Sequence, residues 1–184
     1  MGRISGCGPS FTQEYAVTQS TSLPEGITLR PATEADIPEM MEVINSAFEE
    51  EAFFVNRPRT YPAQLTNHFR SGNFLLAHNG ARLLASVYSE VRGERGYIGM
   101  LAVRPGHQRS GLGRAMMLAA EGALRSAGCR IAEIAVVNLR TALPPIYRKL
   151  GYHENGIEEM PEELRVKLTM PVELIKMEKP LVSR

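Results

Sequence analysis

Two nearly continuous apolar runs, Tyr97 to Val103 and Ile131 to Val137, flank an amphipathic stretch, and this spacing does most to restrict the fold. Runs of that length read as strands covered on both faces. The stretch between them opens with a glycine-bearing loop and closes at Gly128, where a helix C-terminal glycine belongs. Leu112, Met116, Ala119 and Ala123 share one helical face, while Arg114, Glu121 and Arg125 group opposite and predict a solvated side. Strand, helix, strand makes a right-handed crossover, which sets the two strands parallel. A mixed α/β sheet is expected around this unit.

Upstream the pattern is strand, helix, then hairpin. Ile27-Thr28-Leu29-Arg30 alternates like a strand and Pro31 ends it. Thr33 is an N-cap candidate with Asp36 three residues on, and Ile37, Met40, Met41, Ile44 and Phe48 recur at helical spacing. A short helix is predicted around Ala63 to Arg70, after a loop bracketed by Pro58 and Pro62. Asn73 to Ala77 and Arg82 to Glu90 read as strands joined at Asn79-Gly80, a strong signal for a tight antiparallel hairpin. Downstream, a short helix ends at Leu150-Gly151, and strand segments follow near Tyr152 to Glu154 and Val172 to Met177. Residues 1 to 24, rich in Ser, Thr and Gly with only Arg3 and Glu14 charged, read as a flexible leader. Its single Arg argues against an organelle transit peptide. Residues 25 to 184 are expected to form a single domain.

A length of 184 residues with 43% hydrophobic side chains supports a domain that buries its own core without disulfides or a structural metal. Lys and Arg number 21 against 20 Asp and Glu, so a dedicated nucleic-acid surface is not expected. No run approaches the ~18 to 20 apolar residues that cross a bilayer, and the N-terminus lacks the apolar core of a secretory signal. Cys7 lies in the polar leader and Cys129 beside an apolar run, so no bridge between them is expected and a reduced, cytoplasmic setting fits best. His68, His78, His107 and His153 show no close metal-ligand spacing, and no metal is expected.

Chemistry concentrates between Val103 and Arg114, where a buried strand gives way to a helix. Helix N-termini offer unpaired N–H groups and about half a positive charge, and glycines let the backbone come close, so this loop is expected to hold a phosphate. A P-loop would place Lys and then Ser or Thr where Leu112 and Gly113 stand. A dinucleotide fingerprint would want a glycine at Met116. What remains is Gln108-x-x-Gly111-x-Gly113 behind an apolar strand. It resembles the acetyl-CoA loop of the GNAT superfamily of N-acetyltransferases: Gln or Arg, two variable residues, Gly, one variable residue, then Gly or Ala. Tyr147-Arg148-Lys149-Leu150-Gly151-Tyr152 is similar to that family's later motif, a Tyr on a short helix ahead of a Leu-Gly-aromatic turn. Thr28 to Asp36 resembles the first strand and helix start of many members, so the likeness runs from about residue 26 to residue 180. The run from Asn138 to Tyr147 is two residues longer than usual and contains Pro144-Pro145. Proline suits a helix's first turn, so Tyr147 is still expected on a short helix beginning near Ala142 to Pro145.

The resemblance implies a central mixed β-sheet of about six or seven strands flanked by about four helices, with a parallel strand-helix-strand core that binds acetyl-CoA. It implies main-chain N–H groups of Gln108, Arg109, Ser110, Gly111, Leu112 and Gly113 at the pyrophosphate, with Arg109 and Arg114 as side-chain helpers. Arg114 equally suits a solvated helix face. Asn138 and Tyr147 would also touch the coenzyme. Strand residues Leu101, Ala102 and Val103 would receive the pantetheine arm, with the thioester oxygen near the N–H of Leu101 or Val103. Gly99 would permit a bulge that parts this strand from its neighbour, or else serve tight packing. Tyr147 would be the general acid for the leaving thiolate, because a phenol of ordinary pKa ~10 keeps its proton at neutral pH. The plainer reading is a half-buried Tyr whose hydroxyl is bonded to main chain. Glu90, Tyr97 and His153 are candidates to receive the amine's proton.

The acceptor pocket is expected in the stretches that match least: Phe48 to Arg70, Arg92 to Gly96 and Asn155 to Met170. Glu49-Glu50-Glu51 reads as a solvated helix end and Phe53-Phe54 as core, although together they would suit a cationic amine. The expected activity is direct transfer of acetyl from acetyl-CoA to a primary amine. A small-molecule acceptor is favoured because no accessory recognition module accompanies the single domain. No covalent enzyme intermediate is expected, since Cys129 reads as core. The alternatives are a protein acetyltransferase acting on lysine or N-terminal amines, and a non-catalytic acyl-CoA-binding module in which Tyr147 is structural. Neither nucleic acid nor membrane is an expected partner, and the resemblance allows a homodimer.

Overall fold

Period-two patterning and turn residues divide the chain into seven strands that form one sheet, seen in a computed structural model describing residues 23–49, 52–55, 58–165 and 168–181. The expected leader up to position 22, with Cys7, lies outside the described residues, as do Glu50 and Glu51. The chain begins with β1 (Ile27–Pro31), a 3-10 turn (Glu34–Asp36), α1 (Ile37–Ala47), α2 (Pro62–Ser71), β2 (Asn73–Asn79) and β3 (Arg82–Arg92). There follow β4 (Arg95–Val103), α3 (Leu112–Ser126), β5 (Ile131–Val137), α4 (Leu143–Lys149), β6 (His153–Glu159), α5 (Glu162–Arg165) and β7 (Glu173–Pro180). The sheet order is β1-β2-β3-β4-β5-β7-β6, with every neighbour antiparallel except the β4–β5 pair. This is the mixed α/β architecture that the strand-helix-strand pattern leads one to expect.

The caps form as their chemistry dictates. Asp36 accepts from the Thr33 N–H at 2.8 Å and binds the Arg30 guanidinium at 2.6 and 2.8 Å. Arg30, more than any other neighbour, holds the Asp36 carboxyl well below the usual range. Gly80 takes φ +57, which lets Asn79 pair with Arg82 across the hairpin. At the end of α3, Gly128 takes φ +89, and the N–H groups of Gly128 and Cys129 return to Arg125 and Leu124 carbonyls at 3.0 Å.

Helices cover both faces of the sheet. Met40, Val43, Ile44 and Leu65 from α1 and α2 pack on Leu76, Leu83, Met100 and Ala102. Opposite, α3 presents Leu112, Met116, Met117, Ala120 and Leu124 to Val87, Ile98, Ala132 and Ile134, and α4 adds Leu143 and Tyr147 to that side. Cys129 is buried here as expected. A third cluster joins Phe54, Met160 and Val172 beside Val137 and Leu139.

Several sequence-based expectations are corrected. Ala119 and Ala123 are only half-buried, and the covered side of α3 reaches round to Glu121, which is 2% exposed rather than solvated. Lys179 from β7 and Tyr152 from the turn after α4 meet that carboxylate, so contacts distant in sequence override the wheel. Strand β6 starts at His153 and runs to Glu159, with Tyr152 in the preceding turn; all seven of its residues are exposed, so its ladder to β7 holds it rather than burial. Strand β7 extends to Pro180, and the short α5 had no sequence signal. Of the phenylalanine pair, Phe54 is core and Phe53 is exposed. No described helix is long and apolar enough to cross a membrane.

Candidate active site

Strands β4 and β5 pair only at Arg95↔Ile131, Gly96↔Ala132 and Tyr97↔Glu133. The Arg95 guanidinium staples this closed end, donating to Glu133 at 2.7 Å and to Glu178 on β7. Beyond it β5 follows β7 as far as Val137, while β4 follows β3 as far as Val103, and the sheet opens into a wedge. The divergence coincides with an extra residue in β4: Ser86 faces Ala102 and Tyr88 faces Gly99, leaving Met100 and Leu101 opposite Val87 alone. Met100 absorbs this bulge at φ +49, so the bulge expected at Gly99 falls on the next residues. Gly99 is instead required by close approach, since a β-carbon there would lie 2.6 Å from the Tyr97 hydroxyl. The bulge also switches sides: Ile98, Leu101 and Val103 pack with α3, whereas Tyr97, Met100 and Ala102 pack with α1. From Ile98 onward, the β5-facing edge of β4 has no ladder partner among the described residues.

At the wedge's open end the loop before α3 turns through three left-handed residues, Gly106 (φ +85), Arg109 (φ +61) and Gly111 (φ +85). Successive turns of this kind bring main-chain N–H groups to one side. Among the described residues, the N–H groups of Gln108, Arg109, Gly111 and Gly113 donate to no carbonyl or side chain, and the 15-residue helix α3 begins at Leu112. That donor set fits a phosphate. Ser110 Oγ donates to the His107 carbonyl at 2.7 Å and accepts the Leu112 N–H at 3.4 Å, and Gln108 Nε2 reaches the Val103 carbonyl at 3.4 Å, so these two side chains shape the loop. Nothing lies within 4 Å of a β-carbon placed on Gly111, whereas one on Gly113 would touch Val103 and Leu101. Arg109 and Arg114 are both exposed beside the loop. Arg104, which sequence reasoning passed over, anchors the loop's start by donating to the Leu83 carbonyl at 3.0 Å and to Glu42 at 2.5 Å.

Tyr147 lies on α4, with Pro144 and Pro145 in the helix's first turn as their geometry allows. Burial, followed by the neighbouring Tyr97, raises its phenol above the ordinary value, with Arg140 opposing. Among the described residues its hydroxyl makes no hydrogen bond, so the plainer reading of a hydroxyl tied to main chain is not what the structure has. Tyr97 is overlaid by the Arg92 guanidinium, 4.6 Å from its ring centroid, and its ring stands 6.4 Å from that of Tyr88. Glu90 accepts from Tyr88 at 3.2 Å and from Arg92 at 2.9 Å, and Arg92 foremost keeps its carboxyl below the usual range. The register sets Glu90 opposite Tyr97 and Tyr88 opposite Gly99. Two of the three candidates for receiving the amine's proton therefore come together at the wedge.

Other candidates sit apart or are otherwise engaged. His153 is exposed on the edge strand β6, 3.4 Å from Glu178. Asn138 closes β5, but its side-chain carbonyl accepts the Glu173 N–H at 3.2 Å. The side chains of Ala102 and Leu112 are core, leaving only their main chain for a ligand. A surface hollow of about 510 Å³ crosses β1 and β2 near Arg30 and His78, away from the wedge. Among the described residues no three His, Cys, Asp or Glu side chains gather as metal ligands would.

The model of the Acetyltransferase (GNAT) family matches residues 37–152, more than half the chain. Comparison with curated proteins finds no match. Solved structures share the fold at low identity. The ribosomal-protein-S18-alanine N-acetyltransferase from Escherichia coli superposes with a TM-score of 0.70 at 18% identity, over 86% of this chain and 96% of that one. The yncA structure from Salmonella typhimurium, solved with its cofactor acetyl-CoA, gives 0.67 at 18% identity over 86% and 96%. The IAA acetyltransferase from Bacillus cereus gives 0.63 at 15% identity over 84% and 99%.

Proposed function

Because the chain belongs to the GNAT family of acetyltransferases, we propose that it transfers acetyl from acetyl-CoA directly to the primary amine of a small molecule. The observation that carries this reading is the conjunction, at one wedge, of a loop with unengaged N–H donors and a half-buried tyrosine whose hydroxyl has no partner among the described residues. Acetyl-CoA supplies the activated acyl group. The chain's own residues bind, orient and handle protons. N–H groups of Gln108, Arg109, Gly111 and Gly113 take the diphosphate, and the unpaired edge of β4 aligns the arm beside Leu101 and Val103. Tyr147 holds a proton through neutral pH and hands it to the departing sulfur. Glu90 stays ionised, which draws an ammonium towards Gly99, but its depressed pKa makes it a weak base. The amine's proton is accordingly released to water.

A small acceptor is supported by the way two connections meet beside the end of β5. Val55 bridges Leu168, and the Thr169 N–H donates to the Phe54 carbonyl at 3.0 Å, over the cluster formed with Val137 and Leu139. An extended chain entering beside the end of β5 would have to pass this pair of connections, which a small amine need not. The test is release of free CoA thiol in the presence of polyamines, amino acids, aryl-alkylamines and peptides with free N-terminal or lysine amines. Turnover with a small amine above that with peptides is expected. Preference for peptides overturns the acceptor class, and coenzyme binding without turnover on any amine overturns catalysis.

A further inference from the structure

Glu121 is a carboxylate in the middle of the core, 2% exposed, and the transfer step as derived above makes no use of it. Its two oxygens are each engaged: Oε1 accepts from the Tyr152 hydroxyl at 3.0 Å and Oε2 from the Lys179 ammonium at 2.6 Å. A buried charge persists only when paired and hydrogen-bonded, and replacing such a pair by apolar residues often costs nothing. Stability alone is thus a poor reason for this one.

Its placement suggests another reason. Glu121 sits on α3, the helix whose N-terminus forms the anion loop. Tyr152 ends the turn after α4, where its N–H returns to the carbonyl of Tyr147 at 3.1 Å and its ring packs edge-on against the Tyr147 ring with centroids 6.0 Å apart. Lys179 comes from β7 and lies across Gly151, which takes φ +94; a β-carbon there would be 3.5 Å from the lysine chain. One buried carboxylate thus ties the helix that holds the phosphate to the turn that carries the acid. We propose that Glu121, Lys179 and Tyr152 form a positioning unit that fixes Tyr147 relative to the coenzyme-binding helix. This rests on the acetyl-transfer reading for its effect on rate, but not for its effect on geometry. The hydroxyl of Tyr152 is the link between the charge pair and the ring that abuts Tyr147.

Tyr152→Phe removes that hydroxyl and keeps the ring; Glu121→Gln keeps an acceptor for it, and Glu121→Leu does not. With the amine that supports turnover, Tyr152→Phe and Glu121→Leu are expected to lower kcat by about tenfold or more, since small misplacements of a catalytic group cost that much. The dissociation constant of coenzyme A should stay within about twofold and Glu121→Gln should retain most of kcat. A second readout needs no acceptor: ¹⁹F NMR of the chain labelled with 3-fluorotyrosine, with the Tyr147 signal assigned by Tyr147→Phe. That signal should move in Tyr152→Phe and remain near its place in Glu121→Gln. An unmoved Tyr147 signal with unchanged kcat in folded Tyr152→Phe overturns the positioning role, as does a loss of coenzyme affinity that matches the loss of rate. If the unsubstituted chain turns over no amine, the function fails while the NMR measurement still decides the geometry.

Discussion

Burial raises the Tyr147 phenol above the ordinary ~10 and keeps its proton in place through mildly alkaline pH, as the proposed acid role requires. Any fall of kcat caused by its deprotonation must then lie above about pH 10, and a pH–rate profile checks this. Tyr147→Phe should lower kcat by about 10²-fold or more while coenzyme affinity and melting temperature barely change, because the lost hydroxyl leaves no partner unpaired among the described residues. Wild-type turnover in that variant would remove the acid from the mechanism. The residue's place on a short helix was legible because a Leu-Gly-aromatic turn follows it at a fixed offset. The side that each residue of β4 takes beyond Gly99 was not, since the bulge at Met100 and Leu101 resets the alternation.

Helix α3 and the strands beside it show what periodicity captures. Its start, its end at Gly128 and its core residues Leu112 and Met116 follow from local pattern, but Glu121 was placed in solvent because a wheel weighs only the residue's own polarity. Strand β6 was under-extended for the converse reason: its residues are polar and exposed, so only the β7 ladder identifies them. At the helix start Gly111→Glu should weaken coenzyme A binding by about tenfold or more, since a carboxylate beside a phosphate costs about 1 to 4 kcal/mol at surface dielectric. Gly113→Ala should leave it almost unchanged, because its β-carbon would meet Val103 and Leu101 at ordinary distances of 3.6 and 3.9 Å. Isothermal titration distinguishes the two; equal losses would place the phosphate elsewhere.

For the molecule as a unit, protonation sets the limits of stability. Tyr88, Tyr147 and Tyr152 have raised phenols, burial being the largest cause in each. Above pH ~10 the unfolded chain sheds protons that the folded chain keeps, so stability falls as pH rises. Asp36, Glu90 and Glu178 are depressed by Arg30, Arg92 and Arg95. Their contribution is complete above the ordinary carboxylate value of ~4 and is lost as pH falls below it. Burial also lowers the His78 imidazole and raises the Cys129 thiol, so urea midpoints should be highest between about pH 7 and 8 and decline on both sides; a midpoint still rising above pH 10 would contradict the burial of these phenols. The order of strands and helices, the parallel crossover and the glycine loop before α3 were set by apolar period, turn residues and glycine spacing, all of which act over a few neighbouring residues. Where β4 and β5 separate, which helix each side chain of β4 meets, and what surrounds Glu121 depended on residues up to dozens of positions apart meeting in space, and no local pattern encodes such meetings.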